Sequence, residues 1–414
     1  MTITEAILAK AAGLKRVKPG DIVNARIDVA MAHDGLGPFF FPAFRELGFP
    51  IWDKDKVVIV IDHCAPPSAL AHTELVADTL QFVAEYDLPH FYNMQGVCHQ
   101  LVPEQGFIKP GAVAVGTDSH TCTYGGLGAF STGIGSTEMA WVFATGELWF
   151  RVPESIRVEV SGKLGARVMA KDIILKLLSL LGTNGATYKA LEFCGETIRE
   201  LSIDGRLAIC NMAIEAGAKN GIVAPDEKTR AYLQDRAAGE CEVFASAPDA
   251  VYCQTVAIDA GRLEPQLACP HSPANVVPVA KLAGKKVQQV LIGTCTGGRM
   301  EDFRVAAEII RGHKLPRLLR CLILPSSQQI YLDLMAEGLM KVFAEAGCIL
   351  CNPNCGPCGG MHEGLIAKGE VCVGTHNRNF RGRMGSPDGE VYLASPATAA
   401  ATAITGVITD PREL

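Results

Sequence analysis

The chain has 414 residues, room for two to four domains at roughly 100–200 residues each. It is 48% hydrophobic and 20% charged, as in globular proteins with large cores, and its net charge of −6 gives no electrostatic support to nucleic-acid binding. No run of about 18 apolar residues predicts a membrane span, and the first residues lack the apolar core of a secretory signal. Fifteen cysteines, an odd number in a long chain, do not read as a disulfide scaffold. They are expected as free thiols and metal ligands in a cytoplasmic protein.

In chain order, residues 56–61 (KVVIVI) form a short β-branched run, the pattern of a buried parallel strand. It ends in Asp62-His63-Cys64. The stretch Leu70–Tyr86 has helical spacing. Residues 112–115 predict a second strand, followed by Gly116-Thr117-Asp118-Ser119-His120. Residues 211–218 read as helical. A third strand over 287–292 leads into Gly293-Thr294-Cys295-Thr296-Gly297-Gly298, and a fourth covers 321–324. Ser395-Pro396 reads as an N-cap followed by proline at the first helical position. Polar or metal-capable residues thus follow three separate strands. In open α/β sheets ligands bind at the carboxyl ends of strands, which points to one site built from distant segments. Breaks near 151–153 and 281–284 suggest domain borders.

Cys355-Gly356-Pro357-Cys358 is the strongest local motif. Two cysteines at this spacing reach one metal centre, and glycine and proline set the turn. Alone, the pair fits zinc, a redox dithiol or an iron–sulfur cluster. Cys348 and Cys351 form a second such pair just upstream, so a four-cysteine zinc knot over 348–358 is a rival. The glycine- and threonine-rich turn at Cys295 offers a third ligand. Three thiolates from two loops would leave one cluster iron open to act as a Lewis acid, which implies chemistry more than electron transfer. Cys64, Cys98, Cys122 and Cys194 read as buried thiols.

These cysteine loops resemble those of the aconitase superfamily. The match continues with Asp62-His63, with Cys98-His99-Gln100, and with Thr117-Asp118-Ser119-His120-Thr121. Asn211-Met212 with Glu215 and Asn377-Arg378-Asn379-Phe380 with Arg383 are similar to two further family motifs. Asp28 through His33-Asp34-Gly35 looks like an N-terminal loop of the family, and the motifs run in order from 28 to 398. Gly298-Arg299 with Glu301-Asp302 resembles the isopropylmalate and homoaconitate branch. Gly297 departs from the pattern, standing where the family has asparagine.

The resemblance implies an α/β fold of three α/β/α lobes around a central [4Fe-4S] cluster, over residues 1–152, 153–281 and 282–414. It implies a hydro-lyase that moves water between neighbouring carbons of a hydroxy di- or tricarboxylate. Isopropylmalate is the expected substrate, with homoaconitate, citrate or a methylated malate as alternatives. Cys295, Cys355 and Cys358 would hold the cluster with one iron open, and Asn377 would support the sulfurs. Asp62, His63, His99, Asp118, His120 and Glu215 would be catalytic. His33, Asp34, Ser119, Asn211, Arg299, Arg378 and Arg383 would contact substrate, arginine because its planar fork suits carboxylates. The match ends near Thr398 without the family's swivelling domain, which implies a separate small subunit. A structural zinc protein and an RNA-binding regulator are the competing readings.

Overall fold

Short, largely apolar runs buried on both faces build the parallel sheets. All five side chains of Val57–Ile61 are buried, and the same holds for Val29–His33 and Gln289–Gly293. The expected strands at 112–115 and 321–324 are Val113–Gly116 and Arg320–Leu324. Helix Leu70–Tyr86 has the bounds that its spacing predicts. The computed structural model describes residues 1–237 and 242–414. These fall into two compact units.

The first unit comprises Met1–Met94, Cys98–Ser161 and Ala186–Ile258. Its five-stranded sheet runs Phe91–Asn93, Val57–Ile61, Val29–His33, Val113–Gly116, Phe130–Gly133, all parallel. The strand earliest in the chain, Val29–His33, is central. The next two build outward on one flank, and the last two on the other. At such a switch point the connections leave in opposite directions and open a crevice at the strands' carboxyl ends. His33, Asp62 and Asp118 all lie at those ends. A phenylalanine cluster packs below the sheet: Phe41 and Phe82 stack at 3.9 Å, with Phe40, Phe44 and Phe143 edge-on or tilted around them. A second sheet of four strands includes Ser155–Ser161, Ala190–Cys194 and Asn220–Val223, paired in parallel.

The second unit comprises Gln95–Val97, Gly162–Gly185 and Asp259–Leu414. Five of its seven strands repeat the same design: Glu390–Ala394, Val371–Gly374, Gln289–Gly293, Arg320–Leu324, Ile349–Leu350, all parallel. Again the earliest strand, Gln289–Gly293, is central, so the switch point carries Thr294-Cys295 on one side and Thr375-His376-Asn377 on the other.

Three of the four sheets among the described residues follow one another along the chain, but by contact the first two of these share a unit. Helix Ala170–Leu181, which the sequence reading did not single out, belongs to the second unit. Asp172 ties it there, its carboxylate accepting the Gln266 amide at 2.7 Å. The helix expected over 211–218 is mostly earlier: Ile203–Asn211 is helical, and a 3-10 turn over Met212–Ala216 closes at Gly217 with φ 83°. The expected final helix runs Pro396–Thr405, with Ser395 Oγ accepting the Thr398 amide.

Gly293 ends the central strand where it packs closely against its neighbour. A Cβ there would lie 2.2 Å from the Leu324 carbonyl oxygen. Gly293→Ala is therefore expected to cost on the order of 3 kcal/mol of stability in a denaturant titration, while also speeding alkylation of Cys295.

Candidate active site

In the first unit, Asp34 directly follows the central strand and is fully buried. Its Oδ1 accepts the amides of Asp62 and His63, both at 3.0 Å, and its Oδ2 accepts that of Cys64 at 2.7 Å. One carboxylate therefore holds the neighbouring strand's exit turn. That turn fixes Asp62, whose Oδ1 meets His63 Nδ1 at 2.6 Å while Oδ2 accepts the Cys98 amide at 2.7 Å.

His33 stacks on His63 with ring centroids 4.0 Å apart. The Gly35 amide donates to His33 Nδ1 at 3.1 Å, so that nitrogen is unprotonated and the neutral ring carries its proton on Nε2. Burial and the charge on His63 push His33 down to about 4. Burial opposes charge on His63 too, but Asp62 outweighs it and pushes His63 up to about 10. Burial likewise opposes charge on Asp62, and His63 with His33 outweighs it, holding that carboxyl well below its usual range. The pair is an ion pair at neutral pH, with His63 Nε2 as the nitrogen not committed to Asp62.

Asp118 lies at the next strand's exit. His33 Nε2 and His63 Nε2 each stand 3.7 Å from its Oδ2, and His99 Nε2 stands 3.0 Å from its Oδ1. The His120 amide caps the same oxygen at 2.7 Å, and His120 Nδ1 is 3.1 Å away. Burial raises Asp118, yet His99 and His120 outweigh it and hold the carboxyl well below the usual value. His120 Nε2 then meets Glu215 Oε1 at 2.8 Å. Asn211 is buried beside this chain, its amide donating to Thr123 Oγ1 at 2.8 Å. Ser119 is half-buried next to Asp118.

In the second unit Cys295, Cys355 and Cys358 are buried cysteines outside any disulfide. Asn377 spans two of them: its Nδ2 donates to Cys295 Sγ at 3.5 Å, and its Oδ1 lies 3.2 Å from Cys358 Sγ. Among the described residues, the groups of three or more ligand types whose atoms fall within 4.8 Å of one another are His33, Asp34, Asp62, His63 and His99, Asp118, His120. No cysteine belongs to either group. Arg299 is buried, and Arg378 and Arg383 are half-buried. Thr375 occupies the space a side chain at 297 would need, since a Cβ there would come within 2.3 Å of Thr375 Cβ. Glycine at 297 fits that packing.

Three residues that sequence reasoning missed support this centre. Lys171 is buried and donates to Thr296 Oγ1, the Thr375 carbonyl and the His376 carbonyl at 3.1, 2.8 and 2.7 Å. Its ammonium therefore joins the two loops at the switch point. Thr375 Oγ1 accepts the Gly293 amide at 2.8 Å and donates to the Gly293 carbonyl at 2.9 Å. His376 is fully buried, and burial pushes it down to about 4. In the sequence Lys171-Asp172 looks like an ordinary charged helix start, and no local signal marks it as buried.

A family model described as the aconitase family (aconitate hydratase) matches residues 5–406. The chain is 50% identical to the probable 3-isopropylmalate dehydratase large subunit of Methanothermobacter thermautotrophicus, over 100% of this chain and 99% of that one. It is 51% identical to 3-isopropylmalate dehydratase large subunit 1 of Methanopyrus kandleri, over 99% of both. It is 47% identical to the probable methanogen homoaconitase large subunit of Methanothermobacter thermautotrophicus, over 100% of this chain and 98% of that one. Among solved structures, holo aconitase X of Thermococcus kodakaraensis shares the fold, with a TM-score of 0.53 at 14% identity, covering 91% of this chain and 87% of that one.

Two predictions follow from the first unit's geometry. Asp34→Ala leaves three amides without their acceptor and is expected to cost on the order of 3 kcal/mol in chemical unfolding. The stabilisation from a raised His63 is complete below the unfolded value of about 6.5 and is lost as pH climbs through about 10. The melting-temperature advantage of wild type over His63→Asn should therefore shrink steadily across that interval.

Proposed function

Because the chain belongs to the aconitase family, we propose that it is the large subunit of a hydro-lyase that isomerises 3-isopropylmalate by dehydration and rehydration. The observation that carries this reading is the trio of buried thiols with Asn377 laid across two of them. The relatives' names favour isopropylmalate, and homoaconitate is the alternative that they also carry.

Cys295, Cys355 and Cys358 are assigned as ligands of a [4Fe-4S] cluster with one iron open. When bound, that cluster supplies Lewis acidity toward the substrate hydroxyl and carboxylate. The protein's own groups do the rest. Asp62 keeps His63 protonated, so Nε2 holds a proton for the departing hydroxyl. His33, neutral and stacked on His63, keeps that ring in place. Asp118 orients His99 and His120, and His120 hands its second nitrogen to Glu215, which is assigned to the hydroxyl or water. Asp34, with both oxygens taken by amides, is assigned to positioning the Asp62 turn in place of substrate contact. Ser119 and Asn211 remain assigned to substrate. Arg378 and Arg383 are assigned as carboxylate clamps, with Arg299 as a further substrate contact. Several relatives are named large subunits, and a separate small subunit is assigned to supply the remaining substrate contacts and the base.

The test is anaerobic purification, metal and sulfide analysis, then a substrate panel with the cognate small subunit. About four irons and four sulfides per chain are expected, falling in Cys295→Ser. Turnover of 3-isopropylmalate should exceed that of homoaconitate. Stoichiometric zinc without sulfide would sink the mechanism, and turnover of homoaconitate alone would sink the substrate assignment.

A further inference from the structure

The second unit holds further thiols outside the assigned cluster ligands. Cys321 lies in the strand Arg320–Leu324, and Cys348 immediately precedes the edge strand Ile349–Leu350. These two strands pair in parallel with Leu322 opposite Ile349 and Ile323 opposite Leu350. Continued back by one residue, that register sets Cys321 opposite Cys348. Aligned residues on parallel neighbours lie about 4.8 Å apart and project to the same face, within the Cα span a disulfide needs. The face agrees: Cys321 is in the core cluster that includes Val290 and Ile323, and Cys348 packs against that same cluster. The Cys348 thiol, together with burial, pushes the Cys321 thiol up.

The backbone of Cys348 is fixed from both directions. Its amide donates to the Phe343 carbonyl at 2.9 Å, closing helix Leu339–Ala346 over Gly347. Three residues on, the Cys351 amide donates to the Ile323 carbonyl at 2.9 Å and extends the ladder. Other thiols are less well placed. Cys372 is paired with Gln289, one position out of phase with Cys321, and so projects from the opposite face. Cys351 is an odd number of positions beyond Cys348, on the other side of the edge strand. Cys348 is half-buried at the sheet edge, whereas Cys321 is fully buried.

We infer that Cys321 and Cys348 are a peroxide-responsive thiol pair that closes to a reversible disulfide across the sheet's edge. Hydrogen peroxide oxidises the more accessible Cys348 thiol to a sulfenic acid, releasing one water. The Cys321 sulfur then attacks that sulfur, the S–O bond breaks, and the hydroxyl leaves with the Cys321 proton as a second water. Two thiols are oxidised, one peroxide is reduced, and an external dithiol restores both thiols. The bond staples a strand of two residues, Ile349–Leu350, which otherwise hangs on a short ladder. That strand leads straight to Cys351 and the Cys355–Cys358 loop, so the staple holds the loop's root when oxidant is present.

The experiment treats the reduced full-length chain with dilute hydrogen peroxide, traps free thiols by alkylation, and maps linked peptides by mass spectrometry without reductant. The expected result is a 321–348 linked peptide, slower amide exchange at Leu350 and Cys351, and reversal of both by dithiothreitol. Cys348→Ser, checked for native circular dichroism, should lose the linked peptide and the slowed exchange. The inference is overturned if Cys348 stays fully alkylatable after peroxide, if it links to Cys351 or another cysteine instead, or if the 321–348 link forms only in urea. The wild-type peptide map decides the matter even if the variant folds poorly.

Discussion

Parallel pairing on both flanks of a single central strand is the constraint from which the rest of this molecule follows. A parallel neighbour cannot be reached by a tight turn, so each connection must cross over and return. When the first strand is central and later strands build outward on both sides, two connections must diverge at its carboxyl end. Each unit contains that arrangement, with Val29–His33 central in one and Gln289–Gly293 central among the five parallel strands of the other. The divergence leaves space that no backbone fills. Into it the first unit places imidazoles and carboxylates, and the second places thiols and an asparagine.

Holding such groups at strand ends requires burying charge, which is costly unless every polar atom finds a partner. The two units solve this with opposite signs. Asp34 is a buried anion satisfied by three amide donors from the adjacent exit turn. Lys171 is a buried cation satisfied by two carbonyls and a hydroxyl from two adjacent exit loops. In both cases the ion is satisfied by the backbone it organises. The loops that carry chemistry are therefore rigid without being part of any sheet.

A graded set of proton affinities results from this packing in the first unit. His33 and His63 are stacked imidazoles of the same chain, yet one is pushed down to about 4 and the other up to about 10. The difference lies in what outweighs burial. Burial and the charge on His63 push the His33 ring down, while the Asp62 carboxylate bonded to His63 Nδ1 outweighs the same burial and pushes His63 up. Two residues of one type thereby acquire different roles.

By itself the sequence determined the strand Val57–Ile61, because five consecutive β-branched residues can be satisfied only by burial on both faces, whereas it read residues 28–35 as a loop where the structure has the central strand Val29–His33. It also pointed to the loops proposed to bear chemistry, since Asp62-His63, Asp118-His120, Cys295 and Cys355-Cys358 stand directly after strands or in turn-forming glycine and proline contexts. The family resemblance rested on those same short motifs. What only the tertiary structure decided was anything that depends on pairing between distant segments. That Asp34 serves the Asp62 turn, that Lys171 ties the Cys295 loop to the Asn377 loop, and that Cys321 faces Cys348 are all matters of sheet order and register. Local spacing holds no record of which strand lies beside which. A lysine at a helix start looks solvated until a neighbouring strand end is set against it.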